Sequence, residues 1–287
     1  MDAFSGARER ALGPEHAESL VALSAEAGWN QVAADWRFML ERGGGVGMAD
    51  EAGTWVASAI ALPLAPRLSW LSMVLTTKAW RGRGIGTHLL RRCIEMVRAR
   101  GAAAGLDATE LGRPVYLPLG FADLYALKRR HLDRAPESIT APPGIRMRRI
   151  AASDLPAVAA YDAPRSAMER GPILAHLQGR APYLAFVAEA GERILGFVMG
   201  RDGRIAHHIG PIVAESEEIA LALAAQAGIA ANPPFILDVP DRHAGTQRWL
   251  EASGAVSPRG YVRLVLGDAP GLAANERVFA IAGPELA

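Results

Sequence analysis

A mixed α/β chain built as two successive domains is predicted by three features of the sequence. Runs of helical periodicity alternate with short apolar, strand-like runs, the pattern of helices laid on a mixed sheet. The apolar run Trp70-Leu71-Ser72-Met73-Val74-Leu75 leads into a loop of alternating glycines, Gly82, Gly84 and Gly86, which opens a helix-like run from His88 to Arg100. The segment Arg134 to Gly144 holds three prolines and a glycine in eleven residues and reads as a linker. With 287 residues the chain exceeds the common single-domain size. Domains over residues 1–134 and 145–287, joined by 135–144, are therefore expected.

In order along the first half, the periodicity predicts a helix from Glu15 to Ala27 and another around Asp35 to Glu41. Strands are expected near Val46 to Met48, Thr54 to Leu62 and Ser69 to Thr76. The glycine loop, its helix, a strand at Ala104-Gly105-Leu106-Asp107 and the segment Tyr116-Leu117-Pro118-Leu119-Gly120-Phe121 follow.

The loop Arg81-Gly82-Arg83-Gly84-Ile85-Gly86-Thr87 has the composition of an anion cradle. Glycines remove the Cβ atoms that block a tight turn, so successive backbone N–H groups can converge at a helix N-terminus. That end carries partial positive charge, and Arg81 and Arg83 add two full charges, which suits a pyrophosphate. A P-loop is excluded because Thr87-His88, not Lys-Ser/Thr, follows Gly86. A dinucleotide fingerprint needs Gly-x-Gly-x-x-Gly, and the glycines here stand two apart. No His-Arg-Asp or Asp-Phe-Gly triplet supports a kinase.

Arginines with alternating glycines after a strand, followed by Tyr116-x-x-x-Gly120-Phe121, resemble the GNAT acetyltransferase superfamily over Ser69 to Phe121. The resemblance implies two GNAT-like domains in tandem on an α/β, mixed-sheet fold, with acetyl-CoA as cosubstrate. It places Arg81, Gly82, Arg83, Gly84, Ile85, Gly86 and Thr87 on the pyrophosphate. It places the oxyanion donor on a splayed, bulged strand at Met73, Val74 or Leu75. Tyr116 matches the family tyrosine that protonates the departing thiolate. Thr109 stands where the family often has a cofactor-binding asparagine, so one expected contact is altered.

Acyl transfer to an amine also needs a proton acceptor, because an amine of pKa about 10 is mostly protonated at neutral pH. Asp107 at the end of its strand, Glu110 beyond it, and water all remain candidates; either carboxylate could equally cap a helix. Trp29 and Trp36 lie where the resemblance places the acceptor groove, and they predict a pocket for an apolar or aromatic amine. The competing reading has Trp36, with Met39 and Leu40, covering the sheet.

The second half echoes the first. Ile236-Leu237-Asp238-Val239 repeats Gly105-Leu106-Asp107-Ala108, and helix-like runs end at Gly120 and Gly254. Counting back from Asp238 to the place of Gly82 reaches Val213 to Glu218, which has no glycine and three carboxylates. Like charge opposes a phosphate there, and Leu250 stands in the place of Tyr116, so the second domain reads as a degenerate copy. His207-His208 offers one imidazole to an interdomain site, and Glu276 to Ala282 reads as a strand.

Lys and Arg total 31 against 30 for Asp and Glu, a net charge of +1, which argues against nucleic acid or a membrane as partner. The basic run Lys128-Arg129-Arg130-His131 reads as a solvated strand end. The N-terminus lacks a secretory core and no stretch is apolar enough to span a bilayer, so a cytoplasmic protein without a metal site is expected. The lone cysteine, Cys93, is expected to serve packing. The reading is an acyltransferase moving an acetyl group from acetyl-CoA to a small-molecule or aminoacyl amine. The alternative is a non-catalytic acyl-CoA sensor.

Overall fold

The computed structural model describes residues 4–287. Its first half contains β1 (Ala7–Leu12), α1 (Ala17–Glu26), α2 (Ala33–Arg42), β2 (Gly44–Asp50), β3 (Trp55–Ala65), β4 (Leu68–Thr76), α3 (Ile85–Ala99), β5 (Ala103–Thr109), the single-turn α4 (Arg113–Tyr116) and β6 (Ala122–Leu132). After an irregular stretch come β7 (Arg146–Arg149), α5 (Leu155–Ser166), α6 (Gly171–Arg180), β8 (Phe186–Ala190), β9 (Arg193–Arg201) and β10 (His207–Ala214). The chain then forms α7 (Glu217–Ala231), β11 (Phe235–Pro240), α8 (Ala244–Ala252), β12 (Val256–Leu266) and β13 (Val278–Ala280).

All of these strands join one mixed sheet, in the order β1-β2-β3-β4-β5-β12-β6-β11-β10-β9-β8-β7, with β13 paired to β10. The order is a palindrome of the two halves. Strand β12 of the second half enters between β5 and β6 of the first, and β6 of the first enters between β11 and β12 of the second. Each half thus completes the other's sheet.

Helix α3 shows how the layers are held. Ile85, Leu89, Leu90, Cys93, Ile94 and Val97 fall on one stripe and are buried against Val56, Ala57, Leu71, Ala104 and Leu106. Burial pushes the Cys93 thiol up to about 12, which leaves it a packing residue with little thiolate at neutral pH. Helix α7 covers the same face in the second half with its own core, built on Leu223, Phe235 and Leu237. The opposite face carries a single core shared by both halves, from Leu20, Trp36 and Met39 to Leu174, Phe197 and Ile281.

The central strands corrected one expectation from the sequence. Lys128 to His131 is not a solvated strand end: it lies in β6, and Arg129 and Arg130 are buried. Arg129 opposes Asp238 directly across β6 and β11, donating Nε to Oδ1 at 2.8 Å and Nη2 to Oδ2 at 2.7 Å. Arg263 opposes Asp107 across β12 and β5 in the same way, with both contacts at 2.8 Å. In each pair the carboxylate comes from one half and the guanidinium from the other. Arg130 adds bonds to Gln247 and Glu251 at 2.6 Å.

A buried pair broken on one side leaves a charge without a partner, which costs about 3–5 kcal/mol, whereas apolar replacement of both partners is often near neutral. Arg263→Met should therefore lower the urea midpoint sharply, and Arg263→Met with Asp107→Leu should recover most of the loss; equal midpoints for the two would refute this account. The exchanged strands also predict that a chain cut between residues 135 and 144 assembles from its two co-expressed pieces. Co-purification in a 1:1 ratio checks it, since β6 and β12 hold the pieces together without the connecting peptide.

Candidate active site

Strands β4 and β5 run parallel only from Leu68 to Trp70 opposite Ala103 to Gly105. Beyond that point they diverge, and among the described residues the edge of β4 from Leu71 onward has no strand partner on that side. The branch point is filled by the Trp70 indole, which lies so close over Gly105 that a Cβ there would sit 2.4 Å from the ring. Arg263 stacks on Trp70 at 4.5 Å, and the indole N–H donates to the Pro284 carbonyl at 2.8 Å.

Within the open edge Met73 adopts φ +52, a left-handed conformation that costs a branched or long side chain about 1–3 kcal/mol. Ser58 Oγ holds the distorted turn by donating to the Met73 carbonyl at 2.7 Å, next to a register shift between Ser58 and Ile60. The register skips Met73 and Val74 here, so that Leu75 pairs with Ser58 while Ser72 pairs with Ile60, a bulge in β4.

The glycine loop closes the far end. Gly82 and Gly84 both have positive φ, +76 and +79, and a Cβ on either would project into open space. Gly84 is the N-cap of α3 and has no side chain to fold back over the helix end, so the amides of Ile85, Gly86 and Thr87 face outward. Gly86 seats this turn against the Thr76 hydroxyl at the end of β4. Arg81 donates to the Thr76 carbonyl at 3.1 Å, and Arg83 lies over the Trp80 ring at 4.5 Å. Among the described residues neither guanidinium meets a carboxylate, and both remain exposed beside the helix terminus. The arrangement can hold a di- or polyphosphate.

Where β4 and β5 part, a cavity of about 120 Å³ is lined by Met73, Val74, Asp107, Thr109, Gly112 and Tyr116, among others. Thr109 Oγ1 accepts from the Gly112 N–H at 3.1 Å and so fixes the short α4 that presents Tyr116. The Tyr116 ring meets Phe121 edge-on at 6.0 Å, and among the described residues its hydroxyl makes no hydrogen bond. Burial pushes the Tyr116 phenol up to about 12, so it stays protonated at neutral pH.

The remaining expected residues divide. Trp29 lines the same cavity. Trp36 does not: it is fully buried in the shared core, its N–H given to Ser24 Oγ at 3.2 Å, because α2 turns its apolar stripe onto the sheet. Asp107 borders the cavity, but both of its oxygens accept from Arg263. Burial pushes its carboxyl up, the Arg263 charge draws it back, and it rests above its ordinary value. Glu110 is exposed and lies outside the cavity. His207 meets the Tyr183 hydroxyl at 2.9 Å, and His208 is buried 3.2 Å from Asp238, also outside it.

Sequence reasoning did not single out Gln31, Arg129, Tyr261, Pro284 and Glu285, which complete the cavity wall. All but Gln31 reach the site through the strand exchange or from the chain end, and only Arg129, inside the basic run, left a trace in the sequence.

In the second half the matching gap between diverging strands is filled. There β10 and β11 pair only at His207–His208 with Phe235–Ile236, and β13 fills the gap, pairing with β10, while Ile281 just after it donates its N–H to the Asp238 carbonyl at 3.0 Å. The helix end is sealed as well: Ser216 caps α7, and Glu217 and Glu218 in its first turn neutralise the positive terminus that α3 leaves open.

Two family models match, the Acetyltransferase (GNAT) family over residues 14–121 and the Acetyltransferase (GNAT) domain over residues 158–280. The uncharacterized N-acetyltransferase YitH of Bacillus subtilis is 22% identical over 233 residues, covering 81% of this chain and 82% of that protein. A candidate acetyltransferase of Pyrococcus horikoshii superposes with a TM-score of 0.81 at 20% identity, covering 98% of this chain and 96% of the other. A tandem GNAT protein from the clavulanic acid biosynthesis pathway superposes with a TM-score of 0.61 at 13% identity, covering 91% and 98%. The chain belongs to the GNAT acetyltransferase family and carries two of its domains in tandem.

Proposed function

We propose that the protein transfers an acetyl group from acetyl-CoA to the amine of a small-molecule or aminoacyl acceptor, at the one site centred on the first half. One observation carries this reading: the Met73 bulge and a Tyr116 hydroxyl without a partner among the described residues border one cavity, on the strand that leads into the glycine loop, while the matching gap in the second half is filled by β13. Acetyl-CoA supplies an activated acyl thioester. The amides of Gly84 to Thr87, with Arg81 and Arg83, bind its pyrophosphate, and the free edge of β4 holds the extended arm. A backbone N–H in Met73 to Leu75 stabilises the oxyanion. Tyr116 donates its proton to the leaving sulfur. Asp107, committed to Arg263, positions the exchanged strand, and the amine's proton leaves to water. The free Tyr116 hydroxyl favours a transferase over an acyl-CoA sensor, which has no need of a proton donor.

Acetyl-CoA titrated calorimetrically into the full chain should bind at one site. Gly84→Asp should abolish that binding, since it puts a side chain on a left-handed residue and a negative charge at the phosphate. Retained affinity in the variant would move the site elsewhere. In an amine screen Tyr116→Phe should lower kcat by about 10²–10⁴ with little change in the KM for acetyl-CoA. Because burial raises this phenol, its neutral form persists as pH rises, and any loss of kcat from its ionisation should begin above 10, the ordinary phenol value.

A further inference from the structure

We propose that the acceptor of the transfer inferred above, a reading on which this one rests, carries a carboxylate besides its amine, and that Arg259 of the exchanged strand β12 receives it in a second cavity beside the catalytic one.

The second cavity, of about 110 Å³, is lined by Gly28, Asn30, Arg129, His131, Pro258 and Arg259, among others. It adjoins the first. Arg129 stands in both walls, and the segment between α1 and α2 serves them alternately, with Trp29 and Gln31 lining the first and Gly28 and Asn30 the second. Strand β12 does the same: Tyr261 lines the catalytic cavity and Arg259 the second. Two residues apart on a regular stretch of strand, they share a face, with Cα atoms about 7 Å apart. An acceptor held at both points has its amine and its carboxylate at opposite ends of a short chain.

Among the described residues no carboxylate lines the second cavity. Arg129 is neutralised by both oxygens of Asp238, and His131 stands 3.5 Å from the exposed Asp133. Arg259 is half-buried and, among the described residues, forms neither an ion pair nor a hydrogen bond.

Strand register is the independent observation. Arg259 lies directly opposite Arg129 across β12 and β6. Like charges in opposed positions repel, and Asp238 relieves only one of the two. Arg263, on the same face of β12, shows the contrast: it lies opposite Tyr125 on β6 and gives both donors to Asp107. A second guanidinium set against Arg129 is a cost to the fold that a bound anion offsets. Its fork of parallel N–H donors matches a carboxylate, and one uncompensated charge suits a single negative charge better than a phosphate dianion. Arg259 binds the acceptor and takes no part in proton transfer.

The test sets 4-aminobutanoate, 5-aminopentanoate and 6-aminohexanoate against their primary amides, which keep the length and lose the charge. Each is titrated by calorimetry, with CoA present, into the full chain and into Arg259→Gln. At least one acid should bind tenfold or more tightly than its amide. Arg259→Gln should erase that preference, with acetyl-CoA affinity unchanged. Because Arg259 has no partner and opposes Arg129, the Tm of Arg259→Gln should equal or exceed that of the parent, which separates recognition from folding. Equal binding of acids and amides, no binding by any acid, a preference that survives Arg259→Gln, or a matching loss of acetyl-CoA affinity would overturn the proposal. Carboxylate-dependent binding at Arg259 without acetyl transfer would sink the transferase reading and leave this subsite standing. Acetyl transfer to the amides as fast as to the acids would do the reverse.

Discussion

Two buried Asp–Arg pairs, Asp107 with Arg263 and Asp238 with Arg129, lie directly opposite one another across strands that the halves exchange. A guanidinium has one planar face of paired donors, so a bidentate match to a carboxylate fixes register as well as charge. A slip of one residue would reverse every side chain of β6 or β12 between the two faces and leave two cations unpaired in the core. The interleaved order of the central strands depends on these pairs. So does the site, because Arg263 also stacks on the Trp70 ring at the branch point where β4 and β5 part.

One scaffold thus produces two outcomes. Both halves have a pair of parallel strands that meet briefly and diverge, and both lay a helix beside the gap. In the first, glycines leave the helix amides bare and the gap stays open. In the second, Ser216 and two glutamates satisfy the helix end and β13 occupies the gap. The second half supplies Arg263 to the branch point and Pro284 and Glu285 to the cavity wall. Asp238 illustrates the changed role. Burial pushes its carboxyl up, but Arg129 and then His208 more than offset this and hold it below its ordinary value, a charged pillar of the core.

The legible parts of the fold were local ones. The glycine loop, the α3 stripe and the Tyr116 segment announce themselves because each is written in residues close together, and the carboxylates at Glu215, Glu217 and Glu218 already argued against a phosphate in the second half. Strand β1 went unread because its residues, Ala7 to Leu12, alternate charges and are mostly exposed at the sheet edge. Trp36 and the basic run were misjudged for one reason: burial of an indole or a guanidinium depends on a distant partner, Ser24 for one and Asp238 for the other.

The sequence by itself determined the family, the mixed α/β class, the tandem repeat and the place of the glycine loop, since these follow from spacing and conformational freedom within a few residues. Only the tertiary structure decided that the halves exchange strands, that Asp107 is bound to Arg263, and that Gln31 and Glu285 share a cavity 254 positions apart along the chain. Those contacts rest on register and on charge compensation between remote segments, and nothing in the local order of residues fixes which remote segment will arrive.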